Sequence, residues 1–63
     1  MFNVEVGASK SICWSADEVA NLIYKATGMW KISKYLREIC PKMNVGDVEK
    51  IDDIIVECII LLK

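Results

Sequence analysis

The sequence predicts a mainly α domain in which a short N-terminal β-ribbon is followed by three helices, the last of them forming an oligomer interface. Three observations carry that prediction. Ser15-Ala16-Asp17-Glu18 has the S-x-x-E form of a capping box that opens a helix. Gly28 and Pro41 divide residues 16–40 into two helix-length pieces. Val48, Ile51, Ile55, Cys58 and Leu62 then recur at spacings of three and four, the seam of a third helix.

Phe2, Val4 and Val6 alternate with Asn3 and Glu5, the period of a half-buried strand. Gly7-Ala8-Ser9-Lys10 reads as a turn and Ser11-Ile12-Cys13-Trp14 as a second short strand, closing a hairpin or pairing with another chain, because an isolated two-stranded ribbon is barely stable in water. The first helix is expected over Ala16 to Thr27, with Ala16, Val19, Leu22, Ile23 and Ala26 inward, Asp17, Asn21, Tyr24 and Lys25 outward, and Gly28 as the stop. The second, from about Met29 to Ile39, turns Met29, Ile32, Leu36 and Ile39 inward and ends before Pro41.

Asn44 is placed to cap the third helix, with Asp47 in its first turn. Beside the seam, Ile59 is adjacent, Ile54 and Leu61 flank one side, and Val56 and Ile60 lie toward the other. A helix apolar nearly all round needs neighbours on several faces. Ile51, Ile54, Ile55, Cys58, Ile59, Leu61 and Leu62 are therefore expected to bring copies together as a homodimer or larger assembly. The competing reading of this stretch is a strand, since isoleucine and valine favour sheets.

Size and composition point the same way. A single domain of 63 residues buries only about 60% of the surface its unfolded chain exposes. With 54% of its residues hydrophobic, the chain carries more apolar side chain than so small a core hides, and association is the simplest staple. Cys13, Cys40 and Cys58 are unpatterned and odd in number, and there is no histidine, so neither a disulfide framework nor a zinc site is indicated. Such cysteines fit a reducing, cytoplasmic setting. The start lacks the regions of a signal peptide, and the C-terminal run is too short to span a bilayer and is interrupted by Glu57.

Enzyme chemistry has little to stand on. No histidine, glycine-rich phosphate loop or cysteine-with-base motif is present, and adjacent Asp52 and Asp53 would diverge by about 100° on a helix. The expected activity is binding without a cofactor. Trp30, Lys34 and Arg37 fall in line at i, i+4 and i+7 on the second helix, with Lys31 and Tyr35 beside them, an aromatic and basic stripe suited to a carboxylate, a phosphate or a base. Charge is segregated along the chain. Residues 25–42 hold Lys25, Lys31, Lys34, Arg37 and Lys42 against Glu38, whereas residues 47–57 hold Asp47, Glu49, Asp52, Asp53 and Glu57 against Lys50.

The expectation is thus a small, non-enzymatic, homo-oligomeric protein that sequesters or occludes a partner, either a protein surface or a nucleotide-like anion, as small inhibitors of phage and mobile elements do. The alternative is a DNA-binding regulator. SADEVANLIYKATGMWKISKYLREI resembles a helix-turn-helix around Gly28, although alignment on that glycine puts Lys34 where a buried aliphatic residue belongs. In element order, SICWSADEVANLIYKATG followed by KISKYLREI resembles a ribbon-helix-helix protein, with Ser9, Ser11 and Cys13 outward on the strand. A pI near 5.2 weakens either DNA reading, because phosphate contacts dominate such affinity.

Overall fold

The structure is a computed structural model and describes residues 1–60. Strands β1 (Phe2–Val6) and β2 (Ser9–Cys13) are followed by helices α1 (Ala16–Thr27) and α2 (Trp30–Ile39), a short 3-10 turn at Cys40–Lys42, and strands β3 (Val48–Ile51) and β4 (Ile54–Cys58). The four strands form one antiparallel sheet in the order β2-β1-β4-β3. The helix pair covers one face of it, which makes an α+β sandwich of two layers.

This corrects the mainly α, three-helix expectation: the stretch read as a third helix is a β-hairpin. In β4, Ile54, Val56 and Cys58 are buried while Ile55 and Glu57 point to the other face and are half-exposed. As a helix this stretch would need an outside partner to cover it. As a strand it buries alternate side chains within its own chain and gives β1 the second neighbour that a bare ribbon lacks. β1 pairs with β4 from Phe2 opposite Cys58 to Val6 opposite Ile54. Asn44 and Asp47, read as a helix start, instead close a turn: Asn44 N–H donates to Asp47 Oδ2 at 2.8 Å and Asp47 N–H to Asn44 O at 2.9 Å.

Both hairpins close through two-residue loops. Gly7 (φ 58°) and Asp52 (φ 53°) each supply the left-handed residue, a conformation open to glycine and tolerated by aspartate. The loops lie side by side, with Gly7 N–H donating to Asp53 O at 3.1 Å.

α1 starts and stops where the sequence indicates, whereas α2 begins at Trp30, with Met29 as its cap residue, and runs on at Cys40 (φ −55°, ψ −42°) into the 3-10 turn that contains Pro41. Ser15 Oγ accepts from Glu18 N–H at 3.2 Å, and Glu18 Oε2 accepts from Trp14 N–H at 3.1 Å, one residue earlier than a reciprocal box would place it. Gly28 ends α1 at φ 71°, its N–H donating to Tyr24 O at 2.7 Å. Val19 and Ile23 of α1 and Leu36 of α2 meet Phe2, Val4, Ile54 and Val56 of the sheet in the core. Ala26 and Met29, expected inward, are exposed. Ser15→Ala removes the cap oxygen and is expected to cost about 1 kcal/mol, read as a lower urea midpoint by circular dichroism.

Candidate binding face on the helix pair

The α1–α2 crossing is built on two small residues. Ser33, buried on α2, donates its hydroxyl to Ala20 O at 2.7 Å, so the backbones approach closely and a shallow cleft of about 330 Å³ runs above the contact. It lies between two parallel stripes, of which all but Asp17 line it. Trp30, Lys34 and Arg37 stand at i, i+4 and i+7 on α2, and Asp17, Asn21 and Tyr24 stand at the same spacing on α1. Because the helices run antiparallel across the short Gly28 connection, Asp17 and Asn21 fall beside Arg37, while Tyr24 shares the cleft wall with Trp30.

Arg37 is held from two directions. Its Nε meets Asp17 Oδ1 at 3.1 Å, and its Nη2 donates to Asn21 Oδ1 at 3.4 Å. Both side chains of the ion pair are more than half exposed, so the pair contributes well under about 1 kcal/mol to stability. Its consequence is orientation: the two contacts bias the guanidinium toward the cleft without locking it there. Lys34 makes no ion pair among the described residues. Trp30 and Tyr24 are 58% and 53% exposed, so the walls are aromatic surface held in water and not packed into the sheet.

Of the predicted binding residues, the structure joins Trp30, Lys34 and Arg37 in this cleft and leaves Lys31 and Tyr35 outside it. Tyr35 turns toward β3 and donates its hydroxyl to Glu49 Oε1 at 3.1 Å; that hydrogen bond, followed by desolvation and the Glu49 charge, raises its pKa. Lys31 is exposed on the same outer side of α2. Asn21 and Tyr24 are outward residues of α1 that the sequence reading does not assign to a site. Their matching i, i+4, i+7 spacing with Asp17, on a helix forced antiparallel by a one-glycine stop, is the signal that places them there.

The predicted oligomer residues scatter. Ile54 and Cys58 are enclosed in the chain's own core, Ile51 packs against that core, Ile55 lies on the uncovered sheet face and Ile59 is half-buried. Leu61 and Leu62 lie outside the described residues. The helical seam that grouped them is absent, and with it the reason to place an interface there. The uncovered sheet face carries Asn3, Glu5, Lys10, Ile12, Val48, Lys50, Ile55 and Glu57, a mixture of apolar and charged groups that suits a solvated antiparallel face.

Two other features are weaker candidates. A cleft of about 380 Å³ at the opposite end is lined by Met1, Phe2, Trp14, Ser15, Ala16, Cys40 and Pro41, with no charged side chain and with Ser15 committed to its cap. Cys13, Cys40 and Cys58 are free and buried at that end of the core, where Cys13 and Cys58 flank Phe2 across the sheet. Burial, with smaller contributions from the Cys58 and Cys13 thiols and Glu49, pushes the Cys40 thiol up to about 11, which is the chemistry of a core side chain and not of a nucleophile. Among the described residues no cluster of three or more His, Cys, Asp or Glu is placed to hold a metal, and no helix is long and apolar enough to cross a membrane.

The geometry thus defines a two-layer α+β domain with an aromatic and basic helix face. No protein-family model matches the chain, and the searches of curated proteins and of solved structures give no match.

Proposed function

We propose that this chain is a non-enzymatic binding protein that works by covering a surface of a partner protein with the outer face of its helix pair. The observation that carries this reading is the projection of Trp30 and Tyr24 into solvent beside Lys34 and Arg37. Tryptophan, tyrosine and arginine are the side chains that most often dominate the energy of protein interfaces, because they bring large contact area at modest entropic cost. Among the described residues, the uncovered sheet face carries no aromatic side chain.

Size adds a further constraint. A stable partner covers about 800 Å² of each side, and the described chain exposes 4202 Å² in all. One whole face is needed, so the exposed Lys25 and Met29, next in sequence to Tyr24 and Trp30 of the cleft, belong to the footprint. Occlusion then follows from rigidity: a sheet-backed helix pair is a stiff plate that masks whatever it lies on.

Affinity capture from cell extract, run side by side with the wild type, Trp30→Ala and Ile12→Ala, tests this. Ile12 is exposed on the sheet face, away from the helices. A protein retained by the wild type and by Ile12→Ala, and bound about tenfold more weakly by Trp30→Ala in calorimetry, is the expected result. Equal affinity for Trp30→Ala contradicts the reading.

A further inference from the structure

Resting on the binding-protein reading, we infer that the partner meets this face with an acidic polypeptide surface, its carboxylates opposite Lys34 and an apolar pocket receiving Trp30. The first ground is uncompensated charge. The basic segment 25–42 and the acidic segment 47–57 do not neutralise each other: the ion pairs among the described residues are Lys10–Glu5 and Arg37–Asp17, neither of which joins the two. Their side-chain link is the Tyr35–Glu49 hydrogen bond, which involves no cation. Lys25, Lys31 and Lys34 therefore keep their field for an outside partner, and a negative surface is the complement that steers and registers such an encounter.

The second ground separates carboxylates on a protein from phosphates on a nucleotide or nucleic acid. Lysine and arginine serve carboxylate and phosphate alike, but enclosed phosphate sites commonly add converging backbone N–H groups. In the connection between α1 and α2, Gly28 N–H is taken by Tyr24 O at 2.7 Å and Met29 N–H by Thr27 Oγ1 at 3.1 Å, which leaves the first turn of α2, without a side-chain cap, as the one source of such donors there. The cleft is also too open to enclose a small ligand, since tight sites bury about 70–90% of one and both aromatic walls here are more than half exposed. A protein surface demands none of these features. It needs anchors that project and a cation beside them, and Trp30, Tyr24 and Lys34, unpaired among the described residues, supply these.

The probe is a synthetic peptide of alternating Asp/Glu and Leu/Phe residues, titrated into the isotope-labelled full chain and followed by amide and indole NMR signals. A Lys/Arg counterpart of the peptide, ATP and a short DNA duplex are titrated in parallel. Saturable shifts at Asn21, Trp30 and Arg37 with the acidic peptide alone, weakened about tenfold by Lys34→Glu, are expected. Stronger shifts of the same signals with ATP or duplex overturn the inference, as does silence toward the acidic peptide. Shifts that depend on protein concentration without any peptide also overturn it, because they assign the face to a second copy. The captured partner separates the two claims. If Trp30→Ala weakens its binding and Lys34→Glu does not, occlusion stands and the acidic partner falls; if neither does, both fall.

Discussion

Val56→Asp is expected to leave the chain unfolded in water at neutral pH, whereas Ile55→Asp, one residue earlier, is expected to leave it folded. Val56 is fully buried at the middle of a central strand, between Val4 on one side and Glu49 on the other. A carboxyl group there has no donor to satisfy it and must either bury a charge or bind a proton, at a cost of several kcal/mol. A chain of 63 residues has a total stability of only about 3–9 kcal/mol. Ile55 faces the uncovered side of the sheet, where an aspartate keeps its water. Far-UV circular dichroism and a urea titration of the two variants separate them. If Ile55→Asp unfolds and Val56→Asp folds, the period-two alternation of β4 is wrong.

Stability is expected to decline as pH rises from about 9 to about 11, through the Cys40 thiol. Its pKa is pushed up from 9.0 to about 11, first by burial, then by the Cys58 and Cys13 thiols and Glu49. In that window the unfolded chain has released the proton while the folded chain still holds it. The unfolded state binds fewer protons, so the stability contribution is complete below pH 9 and disappears as pH climbs through the folded pKa. At about 1.4 kcal/mol per pH unit the loss is about 2–3 kcal/mol. Burial raises the Cys13 pKa as well, with a smaller contribution from the Glu18 charge, so Cys13 works in the same direction. Urea midpoints at pH 8, 9.5 and 11 for the wild type and Cys40→Ala isolate the effect: the gap between the two should narrow with rising pH. A constant gap would show that Cys40 ionises alike in both states.

Most of the N-terminal half of the fold was legible because its signals have one meaning, although Ser9 and Lys10, read as turn, belong to β2, and Trp14, read as strand, lies beyond it. Ser15 with Glu18 opens a helix, Gly28 closes it, and Phe2, Val4 and Val6 alternate cleanly; Pro41 marks the end of α2 only loosely, since Cys40 before it stays helical and enters a 3-10 turn. The C-terminal half was not, because its signals have two. Ile51, Ile55 and Cys58 satisfy a helical seam, while Ile54, Val56 and Cys58 satisfy a strand, and in a stretch where nearly every residue is apolar neither period stands out. Asn44 and Asp47 serve a turn as readily as a helix cap. Tertiary need decides the matter. A two-stranded N-terminal ribbon requires more strands, and residues 48–58 are the β-branched stretch able to supply them.

The candidate cleft was half legible for a related reason. Spacing along one helix placed Trp30, Lys34 and Arg37 together, but it says nothing about which residues of another helix face them. Asp17, Asn21 and Tyr24 enter only once α1 and α2 are set antiparallel at the Ala20–Ser33 contact. Tyr35 and Lys31, neighbours of the stripe in sequence, turn away because each residue advances about 100° around the helix.

Hydrogen exchange of the chain, free and bound to its captured partner, tests the helix-face assignment without any substitution. Slowed exchange concentrated in peptides spanning residues 17–37, with β2 and β3 exchanging as they do in the free chain, is the expected result. Protection concentrated in residues 9–13 and 48–58, with the helix peptides unchanged, would place the partner on the sheet and contradict it.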